Sequence, residues 1–188
     1  MSGSPAVGRP RQELIGSAAS LLGGAAAACG GTAALVLTGH RTAAGLIALV
    51  GAVLLLWGTV KARAGRRRAL LFAELVLDRI LDASILAPLA WVLRSLSVRV
   101  SILALIGLGA SFVASYERAR GRSLGYAGTE TVGYRGLRAA ILVLGLLAGW
   151  IESALWAFVA LTLSASAIRA LNVARQERRS PRSFEAEL

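Results

Sequence analysis

A chain of 188 residues that is 56% hydrophobic and 16% charged, with a mean hydropathy of +0.65, is too apolar for an ordinary soluble domain and reads as a small polytopic membrane protein. Its net charge of +11 is not a nucleic-acid footprint, because the basic residues gather at the ends of apolar runs and do not alternate with aromatics. The lone cysteine, Cys29, excludes a disulfide framework and a thiolate metal site.

Residues 1–12 are polar and rich in Pro, Gly and Ser, which predicts a flexible or interfacial N-terminus. The apolar run behind them is too long for a cleavable secretory signal. Ile15 to Leu37 carries no charge and is rich in Gly and Ala; at 1.5 Å per residue it spans the ~30 Å of a bilayer core. The polar break Thr38-Gly-His40-Arg41 turns the chain into a second span, Thr42 to Val60, which the basic cluster from Lys61 to Arg68 stops. Ala69 to Leu93 is the third span, with Pro88 as an expected kink, and Val98 to Tyr116 is the fourth. Glu117 to Arg138 reads as a longer polar connection. Two further helices, Ala139 to Trp150 and Leu155 to Ile168, meet at a tight turn around Glu152; one very long helix is the alternative. The tail from Arg169 is expected to fray into solvent.

The predicted fold class is therefore an all-α integral membrane protein of about six transmembrane helices. It has a short N-terminal interfacial segment (1–12), a six-helix domain (13–172) and a cytoplasmic tail (173–188). Six spans put both termini on one side of the membrane. With that side cytoplasmic, inner segments hold 17 of the 21 basic residues and outer loops only Arg41, Arg94 and Arg99, an asymmetry that fixes both termini inside. Twenty arginines against one lysine is the residue usage of a GC-rich bacterium, so the expected location is a bacterial plasma membrane.

The third span carries the chemistry. Glu74, Asp78 and Asp82 recur every four residues, and the last two are the only aspartates in the chain. On a helix the three make one acidic stripe, with Arg79 beside it. An Asp or Arg at the centre of a membrane helix costs roughly 2.5–3.5 kcal/mol on insertion scales, so such charges point to function. The topology sets Glu74 near the cytoplasmic interface and Asp82 about 21 Å of helix beyond Arg68. Carboxylate oxygens suit hard divalent ions such as Mg²⁺ or Mn²⁺, which in turn bind phosphates. The structural alternative is that Arg79 and arginines of neighbouring helices neutralise the stripe. Arg118, Arg120, Arg122, Arg135 and Arg138 suit phosphate or anionic headgroups bidentately, or serve only as topology anchors. His40 falls in an outer loop with no evident role.

Four segments carry a family resemblance. Leu77-Asp78-Arg79-Ile-Leu-Asp82-Ala-Ser-Ile-Leu-Ala-Pro-Leu-Ala-Trp91 resembles the third-helix signature of CDP-alcohol phosphatidyltransferases. Ser115-Tyr116-Glu117-Arg118-Ala119-Arg120-Gly-Arg122 resembles the stretch after their fourth helix. Arg135-x-x-Arg138 is similar to the motif ahead of their fifth, and Ile168-Arg169-Ala-Leu-Asn-Val-Ala-Arg175 to the end of their last. The resemblance covers roughly residues 42–178. It implies six transmembrane helices after an interfacial segment and transfer of a phosphatidyl-type group from a CDP-linked lipid to a small alcohol, possibly a phosphorylated one, with release of CMP. It also implies a dimer, here either a homodimer or a heterodimer with an active paralogue.

The family's hallmark is D-x-x-D-G-x-x-A-R-x8-G-x-x-x-D-x-x-x-D, whose aspartates hold two metal ions on the diphosphate and whose last aspartate acts as base. Laid on this chain without gaps, Asp78 matches the fourth aspartate and Glu74 the third, while Val53, Leu56 and Trp57 take the places of Asp, Asp and Gly. Shifting by four pairs Asp78 and Asp82 with the last two aspartates and still supplies no first pair. The resemblance thus implies Asp78 as the catalytic residue, Glu74, Asp78 and Asp82 as ligands for Mg²⁺ or Mn²⁺, and Lys61, Arg118, Arg120, Arg135 and Arg138 as phosphate-binding residues. With Val53 and Leu56 on the opposite wall, the expected two-metal site is impaired. The functional expectation is a divergent phosphatidyltransferase-type protein of phospholipid biosynthesis. The alternatives are a non-catalytic subunit that binds anionic phospholipid or pairs with an active paralogue, and a small proton- or cation-coupled transporter.

Overall fold

The computed structural model describes the backbone of residues 9–64, 68–126 and 132–179, and the side chains of 21–58, 60, 76–126, 134 and 136–177. These residues form six helices and no strand: α1 (Arg9–Leu37), α2 (Arg41–Ala64), α3 (Arg68–Leu93), α4 (Val98–Ser123), α5 (Val132–Ala148) and α6 (Ile151–Arg179). Three of them are long and apolar enough to cross a membrane, over Arg41–Gly58, Val98–Ser123 and Ile151–Glu177. Large apolar side chains on their outer faces, among them Leu56, Ile102, Leu105, Val113 and Leu163, are about half exposed. A water-soluble monomer rarely carries so much open apolar surface. The chain is a membrane protein.

The helix ends follow local chemistry. α1 starts at Arg9, so residues 9–12 of the expected N-terminal segment are its first turn. Thr38, Gly39 and His40 separate α1 from α2, with Gly39 at φ +83°, a left-handed conformation that only glycine adopts without strain. α4 runs seven residues past Tyr116, and Arg118, Arg120 and Arg122 stand on a helix, not in the expected connection. Arginine is a good helix former, and nothing stops the helix before Gly125. There Gly125 N–H bonds to Arg122 O at 3.0 Å and Tyr126 N–H to Gly121 O at 3.0 Å, the paired closure of a Schellman motif. α5 and α6 are two separate helices, as expected, but the turn lies at Gly149 (φ +74°) and Trp150 and not around Glu152, which stands in the first turn of α6. The expected fraying at Arg169 does not occur; α6 continues to Arg179.

The helices close into a ring in which α2 packs on α3, α3 on α4, α4 on α6, α6 on α5, and α5 back on α2. α1 packs against α2 and α3. A core of Ala44, Leu86, Leu103, Leu146 and Phe158 fills one half of the ring. A smaller seam of Ala25, Cys29, Leu55, Leu77 and Leu81 joins α1 to α2 and α3. Small residues set the spacing: a Cβ added at Gly145 would lie 2.3 Å from that of Ala154, and one at Gly45 would lie 2.9 Å from Leu147. In lipid, helices associate through such close backbone approach because the solvent itself is apolar. Two buried hydroxyls are satisfied within their own helices: Thr32 Oγ1 donates to Ala28 O at 2.8 Å and Thr162 Oγ1 to Phe158 O at 2.7 Å.

Candidate functional site

The half of the ring not filled by apolar side chains holds charge. Asp82, from the middle of α3, is 4% exposed, Arg79 9% and Arg138, from α5, 4%. Arg138 Nη2 donates to Asp82 Oδ2 at 2.6 Å. Arg79 Nη1 lies 3.0 Å from the same oxygen, and Ser111 Oγ of α4 donates to it at 2.5 Å. Arg79 also donates to Ser111 O at 2.9 Å, to Ser111 Oγ and to Asp78. One carboxylate oxygen thus gathers donors from three helices. The guanidinium of Arg138 stands 5.3 Å from the ring centre of Phe158 on α6, within cation–π reach, so a fourth helix borders the cluster. Its Nε, among the described residues, is the buried side-chain polar atom with no hydrogen-bond partner.

A second polar seam lies beside the first, between α4 and α6. Arg169 Nη1 donates to Ala114 O at 2.7 Å and stands 3.7 Å from Glu117 Oε2, which also accepts from Ser166. Beyond it Tyr126, just past α4, donates to Glu177 of α6. That bond to an acceptor carboxylate raises the phenol above its ordinary titration range. At the far end of the ring, Ser101 Oγ donates to Ala90 O at 2.7 Å and ties α4 to α3. His40 only approaches Thr38, at 3.3 Å.

Asp78 is turned differently from Asp82. With α2 and α5 it lines a pocket of about 170 Å³ whose other walls include Val53, Leu56, Leu81, Gly136 and Val143. Val53 and Leu56, which replace the first two motif aspartates in the ungapped comparison, therefore do face Asp78 across this pocket. Arg118 is elsewhere: with Arg79 and Arg122 it lines a groove between α3 and α4. Arg120 is exposed, and Arg138 belongs to the buried cluster. The side chains of Lys61, Glu74 and Arg135 lie outside the described residues. The described members of the predicted phosphate-binding set, Arg118, Arg120 and Arg138, thus lie in separate places, whereas Asp78 and Asp82 stay together through Arg79.

Sequence reading weighed Arg79 and arginines of other helices as neutralising partners and did not find Ser111. Its one signal is a small polar residue amid the apolar run Leu108-Gly-Ala-Ser111-Phe-Val, which many packing serines share.

Among the described residues, no three His, Cys, Asp or Glu side chains gather to hold a metal ion. Asp82 Oδ2 already accepts from Arg138 and Ser111 and stands 3.0 Å from Arg79 Nη1, so a divalent ion bound through this oxygen would compete with two guanidiniums. Val53 and Leu56 offer it no oxygen. The described residues do not fit a pair of divalent ions. Comparison of the chain with protein-family models, with curated proteins and with solved structures gave no match.

Proposed function

We propose that this protein is a divergent, catalytically silent membrane protein of the CDP-alcohol phosphatidyltransferase type, six-span and resident in a bacterial plasma membrane with both termini in the cytoplasm. In this reading it serves phospholipid synthesis without performing the transfer, as a lipid-binding or partner subunit of an active paralogue. The observation that carries the reading is the state of Asp82. Its Oδ2 is engaged by Arg138, Arg79 and Ser111, where an active member of the type would need the carboxylate for a metal. The packing of α2 on α3 and the pocket joining Val53 and Leu56 to Asp78 support the likeness in layout, and the apolar α2 wall supports silence.

One observation favours a second reading. Asp78 reaches a pocket between α2, α3 and α5 and could act as a general base there with at most one loosely held ion. Release of CMP from CDP-diacylglycerol by the purified protein, with Mg²⁺ or Mn²⁺ and a set of small alcohols and their phosphates, separates the two. The expected result is no metal-dependent turnover by the protein alone, and turnover altered when a co-expressed active paralogue is present. Metal-dependent CMP release by the protein alone, lost in Asp78→Asn, would overturn the silent reading.

A further inference from the structure

Arg138 is a buried cation with a donor to spare. Its Nη2 donates to Asp82 at 2.6 Å, but its Nε is sealed from the surface and meets no acceptor among the described residues. A buried N–H left unpaired carries its full desolvation penalty, and in folded proteins such groups are met by internal water. The side chains beside it are polar enough to hold water. The ring centre of Phe158, on α6, lies 5.3 Å from the guanidinium. One turn on stands Thr162, 1% exposed, whose hydroxyl donates to Phe158 O and has lone pairs left to accept from a water. Another turn brings Ser166, which donates to Glu117 of α4, and then Arg169, which donates to Ala114 O.

This polar row opens in one direction. Side-chain exposure rises from 5% at Arg138 and Asp82 to 14% at Arg169 and 33% at Glu117, and the bond between Tyr126 and Glu177 beyond them is at the surface. A carboxylate exposed to that degree in a membrane helix turns to water and not to lipid. Toward the other end the ring is filled by Leu103, Leu146 and Leu155. From Ser111, which donates to Asp82, to Glu117 the α4 axis rises about 9 Å, a gap that roughly three hydrogen-bonded waters cross at ~2.8 Å each. The occupant is neutral, because Arg79, Arg138 and Arg169 are answered by Asp78, Asp82 and Glu117 and an ion would find no net charge to pair with. We propose that Arg138 Nε binds an internal water, the innermost of a short file that enters between α4 and α6 past Glu117, Ser166 and Thr162. The buried pair of Asp82 and Arg138 then exchanges with water at one face of the membrane only, the face on which α4 ends. The proposal rests on the membrane character of the chain and stands whether or not phosphatidyl transfer occurs.

The test uses full-length protein in sealed membrane vesicles of both orientations, with single cysteines in a Cys29→Ala background and Ag⁺ as the probe, an ion close to water in size. Ag⁺ takes the thiolate, whereas a thiol held in lipid or in dry packing stays protonated. The bound fraction is read by mass spectrometry as protection from maleimide after denaturation. Ser166→Cys and Thr162→Cys should be protected from the face that labels Ser123→Cys. Their rates should exceed that of Ala160→Cys, on the exposed side of α6, by at least about tenfold, the difference that one unit of thiol pKa makes. From the other face they should be as slow as Ala160→Cys. Thermal unfolding of each variant checks the fold. Where Thr162→Cys lowers the melting temperature, Ala165→Cys, buried on the same side of α6, is the second reporter with the same expectation. Protection of Thr162→Cys and Ala165→Cys no faster than Ala160→Cys, or equally fast from both faces, would overturn the proposal. CMP release measured on wild type bears on the silent reading alone.

Discussion

Asp82 is the carboxylate on which the buried cluster converges. Removing one member of a buried ion pair leaves an uncompensated charge and typically costs about 3–5 kcal/mol. The cluster is asymmetric, however. Asp82→Asn removes the carboxylate from Arg138 and leaves Arg79 with Asp78 and Ser111, whereas Arg138→Met leaves Asp82 still bound to Arg79 and Ser111. Asp82→Asn should therefore lower stability toward the upper end of that range and Arg138→Met by less. Combining Asp82→Leu with Arg138→Met should recover part of the loss, since an apolar pair of similar volume avoids desolvation. Thermal unfolding of the purified variants in one detergent checks this order. Equal losses in Asp82→Asn and Arg138→Met would mean that Arg79 does not share the carboxylate.

At the scale of the helices, contact is set by the small side chains. The Cβ of Gly145→Ala would meet Ala154 at 2.3 Å, so α5 and α6 must separate, at about 1–3 kcal/mol for an overpacked contact. Gly136 lies in the same helix with nothing within 4 Å of an added Cβ. Gly136→Ala should be neutral or stabilise by up to about 1 kcal/mol through helix propensity alone. Thermal melts of the two variants decide whether packing or propensity governs α5. These elements were mostly legible in the chain. Apolar runs bounded by the break at Gly39, the basic cluster 61–68 and the charge of Glu152 marked the helices, because lipid demands long uninterrupted stretches of satisfied backbone, although the last turn came at Gly149 and not at Glu152. What escaped was continuation into polar sequence, at Glu117–Ser123 and beyond Arg169. Hydropathy falls there while helix propensity does not, and the Schellman closure at Gly125 is a backbone event that hydropathy does not register. The charge cluster was half legible: a four-residue spacing revealed Asp78 and Asp82, but pairing with Arg138 and Ser111 depends on which helices are neighbours.

The molecule as a whole presents an asymmetric charge distribution along the ring. Arg118, Arg120 and Arg122 stand at one end of α4, and Arg94 and Arg99 flank its other end. The proposed topology puts the first group in the cytoplasm. Single cysteines in a Cys29→Ala background test it directly. Ser95→Cys should react with a membrane-impermeant maleimide on intact spheroplasts, and Ser123→Cys only after permeabilisation. The reverse pattern would invert the protein and place the arginine end of the α3–α4 groove in the outer leaflet.

The bond between Arg138 and Asp82 also joins residues 56 apart in the chain, and that distance has a meaning in time. At ~5–20 residues per second a ribosome needs about 3–11 s to make the intervening segment. In the proposed six-span topology, α3 must enter the bilayer before α5 exists. Arg79 travels with Asp82 on the same helix, Ser111 arrives with α4, and Arg138 completes the set. The carboxylate is thus neutralised in stages as the chain emerges, and α3 settles into its final place only when α5 has been made.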